Sequence, residues 1–434
     1  MSPEDLTGFI YKSHSAALQL MQIPSQDRDS LLLEIANSVK KQKNAILEAN
    51  TLDLEASRDM AVPDLVLEWL KLTPERLNHA IDCLVHIANL PDPLTLHVGL
   101  NGYQRVPLGV VALIYEGFPQ LSLIAAGMCL KVGNTLILKG GSEGTYTQEA
   151  IVAIAKDILI ARGFPEACMT CVPKGVAIKE LIVQEKYLRL VIPYGRPSFV
   201  QQVSKQATVS ALPISMGNCF LYLSASGDLN FAKEVILNSR KGDPDAVNAI
   251  EKVVVHRSWC DRGLGDWITS LKTQGLVVRG CAETTGYYRH FVEESIGTET
   301  IDQDSHSQII ESEDIWGQAY LDETIAIKIV DDTAEAITWI NQYSSGHADV
   351  IITDSLSERD RFVSRINSST IFVNTHSRFN RYTKIAENGS AKIALGMCSL
   401  KTRGASRYPG VIDIYALTTT KQVLTNSYCN SYFK

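Results

Sequence analysis

The groups in this sequence able to do chemistry are nine cysteines, nine histidines and two glycine-containing turns that follow apolar runs. Cys168 and Cys171 form CMTC, a spacing compatible with zinc or a redox pair. No second CxxC or HxxxH lies in range, so two buried or half-buried thiols on a strand are the expectation. The histidines lack metal-ligand spacing and no GxSxG elbow occurs, so metal-dependent and serine-hydrolase chemistry drop out and no metal is expected. ILKGGSEG (137–144) ends an apolar run with Lys139, Gly140, Gly141, Ser142 and Glu143. Lys139 can hydrogen-bond ribose hydroxyls or a phosphate, and the glycines let a dinucleotide approach the backbone. A solvated strand-to-helix turn is the competing reading, since neither GxGxxG nor GxxxxGK[ST] is present. IPYGRPS (192–198) repeats the arrangement with Gly195 at its turn.

These turns need elements to hold them. The first ninety residues place apolar side chains at helical spacing in ALQLMQ, LLLEIANSVKKQKNAILEAN and ERLNHAIDCLVHIANL. Beyond Asp92 and Pro93, β-branched runs alternate with helical stretches: GVVALIY (109–115), NTLILKG (134–140) and LRLVIP (188–193). That alternation predicts right-handed βαβ crossovers and a parallel sheet, which holds nucleotides at strand carboxyl ends. A second series follows about residue 240, in EKVVVH, GLVVRG, IAIKIV, DVIITD and STIFVN. The expected architecture is α/β, with two parallel-sheet domains. Residues 1–240 form a helical N-terminus and dinucleotide-binding domain, 241–395 a second α/β domain, and 396–434 a return to the first domain with a tail that pairs with another element or subunit. The irregular NSRKGDPDAVNA (238–249) falls between the sheets, where ligand clefts concentrate.

Composition narrows the function classes. The chain has 434 residues, enough for two or three domains with their own cores. Forty-one basic against 48 acidic side chains give a formal charge of −7, which disfavours a nucleic-acid partner. An odd, thinly spread cysteine count and an opening segment without a secretory pattern point to reduced thiols and the cytoplasm. The apolar stretch 106–130 is long enough to suggest a membrane span, but Pro107, Glu116, Gly117 and Pro119 divide it into strand, turn and helix. No membrane is expected.

In order, LEANTLDLEASR, LTPERL, ANLPDPL, RVPLGVVALIYEGFPQ, CLKVGNTLILKGGSE, LRLVIPYG, AYLDETIAIKIV, SSTIFVNTHSRF and ALTTTK make the chain resemble the gamma-glutamyl phosphate reductases. These are the glutamate-5-semialdehyde dehydrogenases of the aldehyde dehydrogenase superfamily. The resemblance implies an aldehyde dehydrogenase-like fold with a small oligomerisation element built partly from the tail, hence a homo-oligomer. It also implies NADPH as cofactor and reduction of gamma-glutamyl phosphate to glutamate-5-semialdehyde in proline biosynthesis. In that chemistry a cysteine thiolate displaces phosphate to form a thioester, and hydride from NADPH then gives the aldehyde. Tyr115 to Pro119, Lys139, Gly140, Gly141, Ser142, Glu143 and Gly195 match the cofactor-facing segments.

The nucleophile does not carry over. The family pattern Pro-Ser-Thr-Cys-Asn corresponds here to Pro244, Asp245, Ala246, Val247 and Asn248, so valine stands in the cysteine's place. An isopropyl group cannot form a thioester, and Asp245 would repel an anionic acyl phosphate. In WGQAYLDE (316–323), Ala319 stands where the resemblance expects a glutamate that holds the nicotinamide ribose. Cys219 lies in a segment that carries a non-nucleophilic cysteine in some relatives, so a structural thiol is the expectation there. Three functions follow: the family's reductase with its standard route impaired, a catalytically inactive paralogue that binds a dinucleotide or regulates an active subunit, or a different reductase or binding protein whose ligand needs no covalent catalysis.

Overall fold

The amino-terminal apolar stripes form five helices, α1 (Pro3–Leu20), α2 (Ser25–Lys41), α3 (Lys43–Asp59), α4 (Asp64–Leu70) and α5 (Pro74–Ala88). LTPERL shows why one of them starts where it does. Thr73 accepts the backbone N–H of Arg76 at 3.2 Å, and Pro74 occupies the first turn, where no donor is needed. The computed structural model describes residues 3–94, 102–241, 246–296, 308–309, 313–384, 391–401 and 410–424.

Two units divide the chain, one of Met1–Ile214, Arg381–Gly396 and Val411–Lys434, the other of Ser215–Asn380 and Met397–Gly410. The break falls at Ile214/Ser215, earlier than the 240/241 boundary read from the sequence, and the carboxyl-terminal returns differ from the single expected segment 396–434. The reason is that the strand Cys219–Leu223 pairs with Ile250–His256, and the helix Leu229–Ser239 packs against that same sheet.

The first unit continues with β1 (Tyr103–Pro107), β2 (Val110–Tyr115), α6 (Leu121–Lys131), β3 (Thr135–Gly140), α7 (Thr145–Ala161), β4 (Met169–Cys171), α8 (Ile178–Leu181), β5 (Leu188–Gly195), α9 (Pro197–Gln206) and β6 (Ile214–Ser215). Its sheet runs β4-β3-β2-β5-β6. Strands β4, β3, β2 and β5 pair in parallel, with Tyr115 opposite Gly140 on one side and Tyr194 on the other. Every residue of β2 is buried, as for a parallel strand covered on both faces. Val110, Ala112 and Ile114 share one core with Leu6 and Ile10 of α1 and Val203 of α9. The apolar stretch 106–130 resolves into the end of β1, β2, a turn and the fully buried α6. No described helix is long and apolar enough to cross a membrane. β1 pairs antiparallel with Thr418–Gln422, so the described part of the tail returns to this unit as a two-stranded ribbon.

The second unit comprises β7 (Cys219–Leu223), α10 (Leu229–Ser239), β8 (Ile250–His256), α11 (Leu264–Lys272), β9 (Val277–Gly280), α12 (Ala282–Ile296), β10 (Gln308–Ile309), β11 (Thr324–Val330), α13 (Thr333–Tyr343), β12 (Ala348–Ile352), α14 (Leu356–Arg365) and β13 (Thr370–Val373). These strands make one parallel sheet, ordered β10-β9-β11-β8-β7-β12-β13. Alternate residues of β8 feed two cores: Val253 and Val255 meet Trp267 of α11, whereas Val254 lies with Ile340 of α13 and Phe362 of α14.

Candidate functional site

The cofactor-matching residues of the first unit gather at the carboxyl ends of β2, β3 and β5. Tyr115 ends β2 with its hydroxyl 2.9 Å from Gln148 Oε1, and the same oxygen accepts the Gly140 N–H at 2.9 Å. Burial pushes the Tyr115 phenol well above its ordinary range, so it stays a neutral donor. Gly141 donates to the Tyr115 carbonyl at 3.1 Å. A side chain at Gly141 would collide with the Glu143 carboxylate, which folds back over that residue. Lys139 and Glu143 are half-buried and Ser142 is exposed at this rim. Pro119 is buried in the turn before α6, where its carbonyl accepts Ser122 Oγ at 2.7 Å.

A second turn closes the edge of this group. Gly195 has φ of +150°, and a Cβ there would lie 2.8 Å from Glu116 Oε2. Glu116 binds Arg196 three times: Oε1 accepts Nη2 at 2.7 Å, while Oε2 accepts Nε at 3.2 Å and the backbone N–H at 3.1 Å. The chain leaves β2 leftward through β3 and β4 and returns rightward at β5, so the crevice between β2 and β5 is the sheet's topological switch point. Ligands of open parallel sheets bind there.

Helix α7, which follows the glycines of β3, is already capped. Asp53 of α3 accepts the N–H groups of Tyr146 and Thr147 at 2.9 and 2.7 Å and the Thr147 hydroxyl at 2.5 Å. That carboxylate satisfies the helix end and anchors the loop 140–144 from behind. Nothing in the local sequence announced this cap, or the Glu116–Arg196 pair.

In the second unit, the segments singled out from sequence lie at the amino ends of β7, β8 and β11. Val247 is fully buried. Its carbonyl accepts the Gly217 N–H at 3.2 Å and lies 3.6 Å from Cys219 Sγ. A cysteine sulfur therefore does stand beside Val247, the residue matched from sequence to the nucleophile, and, fully buried itself, it touches the backbone there. Burial, followed by the Asp349 carboxylate, drives the Cys219 thiol well above its ordinary range. Asn248 is buried beside Val247, and Pro244 and Asp245 lie outside the described residues.

Glu251 fixes the loop that bears Ala319. Its carboxylate accepts the N–H groups of Tyr320 and Leu321 at 2.6 and 2.9 Å, and Leu321 takes φ of +60°. Lys252 Nζ lies 3.4 Å from the centroid of the Tyr320 ring and donates to the Gln318 carbonyl at 3.1 Å. Burial pushes Glu251 up and Lys252 down, each opposed by the other's charge. Ala319 itself is half-buried and brings no functional group to this loop. His347, next to Gly217, is buried, and burial holds its imidazole down at about 4, so it is neutral at ordinary pH.

Burial holds several of the other described thiols protonated as well. Burial pushes Cys171 up to about 11 and Cys168 to about 12, and raises Cys129, Cys260 and Cys398. Of the two CMTC thiols only Cys171, half-buried, lies on β4; Cys168 is buried in the short 3-10 turn just before the strand, not on it as expected. No cluster of three potential metal ligands occurs among the described residues.

The sequence profile of the aldehyde dehydrogenase family matches residues 1–273, more than half of the chain. The chain belongs to the aldehyde dehydrogenase family. It is 38% identical over 422 residues to gamma-glutamyl phosphate reductase 2 of Synechocystis sp., covering 95% of each sequence. It is also 36% identical over 426 residues to the gamma-glutamyl phosphate reductase of Gloeobacter violaceus, covering 96% of each. The crystal structure of gamma-glutamyl phosphate reductase from Thermotoga maritima superposes with a TM-score of 0.82 at 29% identity, covering 98% of this chain and 99% of that one. A probable aldehyde dehydrogenase from Listeria monocytogenes, at 16% identity and a TM-score of 0.70, shares the fold. The expected fold class and family resemblance are both borne out.

Proposed function

We propose that this aldehyde dehydrogenase family member is a gamma-glutamyl phosphate reductase-like protein that holds NADPH in its first unit and lacks the standard cysteine route to glutamate-5-semialdehyde. The observation that carries this reading is Val247, an apolar, fully buried residue at the nucleophile position. The thiol beside it, Cys219, is kept protonated by its surroundings.

The residues of the first unit fit a dinucleotide. Tyr115, Gly140, Gly141 and Gly195 form a narrow floor where added side chains would clash, with Lys139, Ser142 and Glu143 as polar rim groups. Glu143 can accept from ribose hydroxyls and Lys139 can donate to them. Bound NADPH supplies hydride; the protein's part is to orient it. Nothing at position 319 can grip the nicotinamide ribose, because alanine carries no acceptor. In the second unit Glu251 still shapes the loop, so the scaffold outlasts the functional group.

The buried valine also favours a second reading, in which the chain serves as a non-catalytic, dinucleotide-binding partner of an active subunit. The ribbon formed by β1 and Thr418–Gln422 is then the oligomerisation element, and cytoplasmic residence accompanies the biosynthetic role. NADPH oxidation coupled to glutamate kinase tests both readings. The parent protein is expected to show no kinase-dependent oxidation, and Val247→Cys combined with Ala319→Glu to introduce it. Turnover by the parent that is lost in Cys219→Ser would refute the closed cysteine route.

A further inference from the structure

Glu116 and Arg196 occupy the one crevice where the sheet of the first unit reverses its winding. Glu116 is the first residue beyond β2 and Arg196 the first beyond β5, and those strands end side by side, with Tyr115 opposite Tyr194. Three donors of Arg196, two from the guanidinium and one from the backbone, converge on the single carboxylate of Glu116. Donors gathered in this way match the needs of an oxyanion, and a planar guanidinium fork suits phosphate as well as carboxylate. Gly195 leaves the approach free of a side chain, at a φ that favours glycine.

We propose that Arg196 is a diphosphate-binding residue of the dinucleotide site, and that Glu116 is an internal stand-in anion which the incoming diphosphate must displace. This rests on the dinucleotide reading above and adds to it a named phosphate ligand and a built-in competitor. The exchange is sterically open. The Arg196 side chain is 36% exposed against 13% for Glu116, so a ligand can reach the guanidinium from the solvent side. A diphosphate offers more negative charge and more acceptor oxygens than one carboxylate. Glu143 adds a second negative charge near Arg196, and this guanidinium, with Lys139 at the same rim, offsets the site's repulsion of an anionic ligand.

Binding of NADPH, followed by its fluorescence, and of ADP-ribose by competition tests the proposal on the full chain. Arg196→Ala is expected to weaken both at least about tenfold, and Arg196→Lys to fall between it and the parent, because lysine keeps the charge without the fork. Glu116→Gln is expected to tighten both several-fold by removing the competitor. If Arg196→Ala does not fold, as judged by circular dichroism, Arg196→Lys and Glu116→Gln carry the test. Affinity within twofold of the parent in the arginine variants, or unchanged or weaker binding in Glu116→Gln, overturns the proposal while leaving the dinucleotide reading intact. A parent protein that binds neither ligand overturns both.

Discussion

A thiol is useful to acyl chemistry only as a thiolate, and burial keeps Cys129, Cys168, Cys171, Cys219 and Cys398 protonated. Cys83, Cys129, Cys168, Cys219 and Cys398 are buried, and Cys219 spends its donor on the Val247 carbonyl. Native-state alkylation at pH 7.5 with mass mapping is therefore expected to leave these five unmodified while urea exposes them; rapid labelling of Cys219 in the native protein would contradict its interior placement. His347 gives a second prediction at this scale. Its folded value of about 4 lies below the ordinary 6.5, so between those values the unfolded chain binds more protons. The stability tied to its neutral form is complete above pH 6.5 and is lost as pH falls through 4. The total is about 3 kcal/mol at roughly 1.4 kcal/mol per unit. Denaturant titrations from pH 7 to pH 4 should show a steeper acid loss for the parent than for His347→Gln.

At the scale of elements, long-range polar contacts set the loops that matter. Asp53 of α3 holds the start of α7 through two backbone donors and one hydroxyl, and so holds the glycine loop before it. Asp53→Ala is expected to destabilise the protein by about 2 kcal/mol, the range of a lost cap that was also charged. Urea midpoints measure this, and Asp53→Asn should recover part of it. Gly195→Ala bears on the neighbouring turn. Its Cβ would press on Glu116 at a φ that alanine rarely adopts, so both the strain and the displaced ion pair should lower thermal stability, by about 1–2 kcal/mol. Unchanged melting of this variant would mean that the turn relaxes without cost.

For the whole molecule, the useful division is between a unit that carries the cofactor-matching residues and one that carries Val247, the proposed nucleophile position. A ligand specific for the folded first unit should stabilise it by about 2.7 kcal/mol at one hundred times its Kd, whether or not any reaction follows. Calorimetry with NADPH checks this, and an unmoved transition would remove the dinucleotide from the account. The sequence by itself determined the α/β class, the positions of eight core strands and the absence of a thiol at position 247. Buried parallel strands such as VVALIY and EKVVVH are legible as short apolar runs, and a side chain's chemistry is fixed by its type wherever it folds. Only the tertiary structure decided that Glu116 faces Arg196, that Asp53 caps α7, that Glu251 clamps Tyr320 and Leu321, and that Cys219 lies against Val247 from the interior. Those pairs are separated by between 28 and 94 residues, and neither member carries a local mark of the other. Sheet winding and burial bring them together, and the same burial sets which of their protons can move.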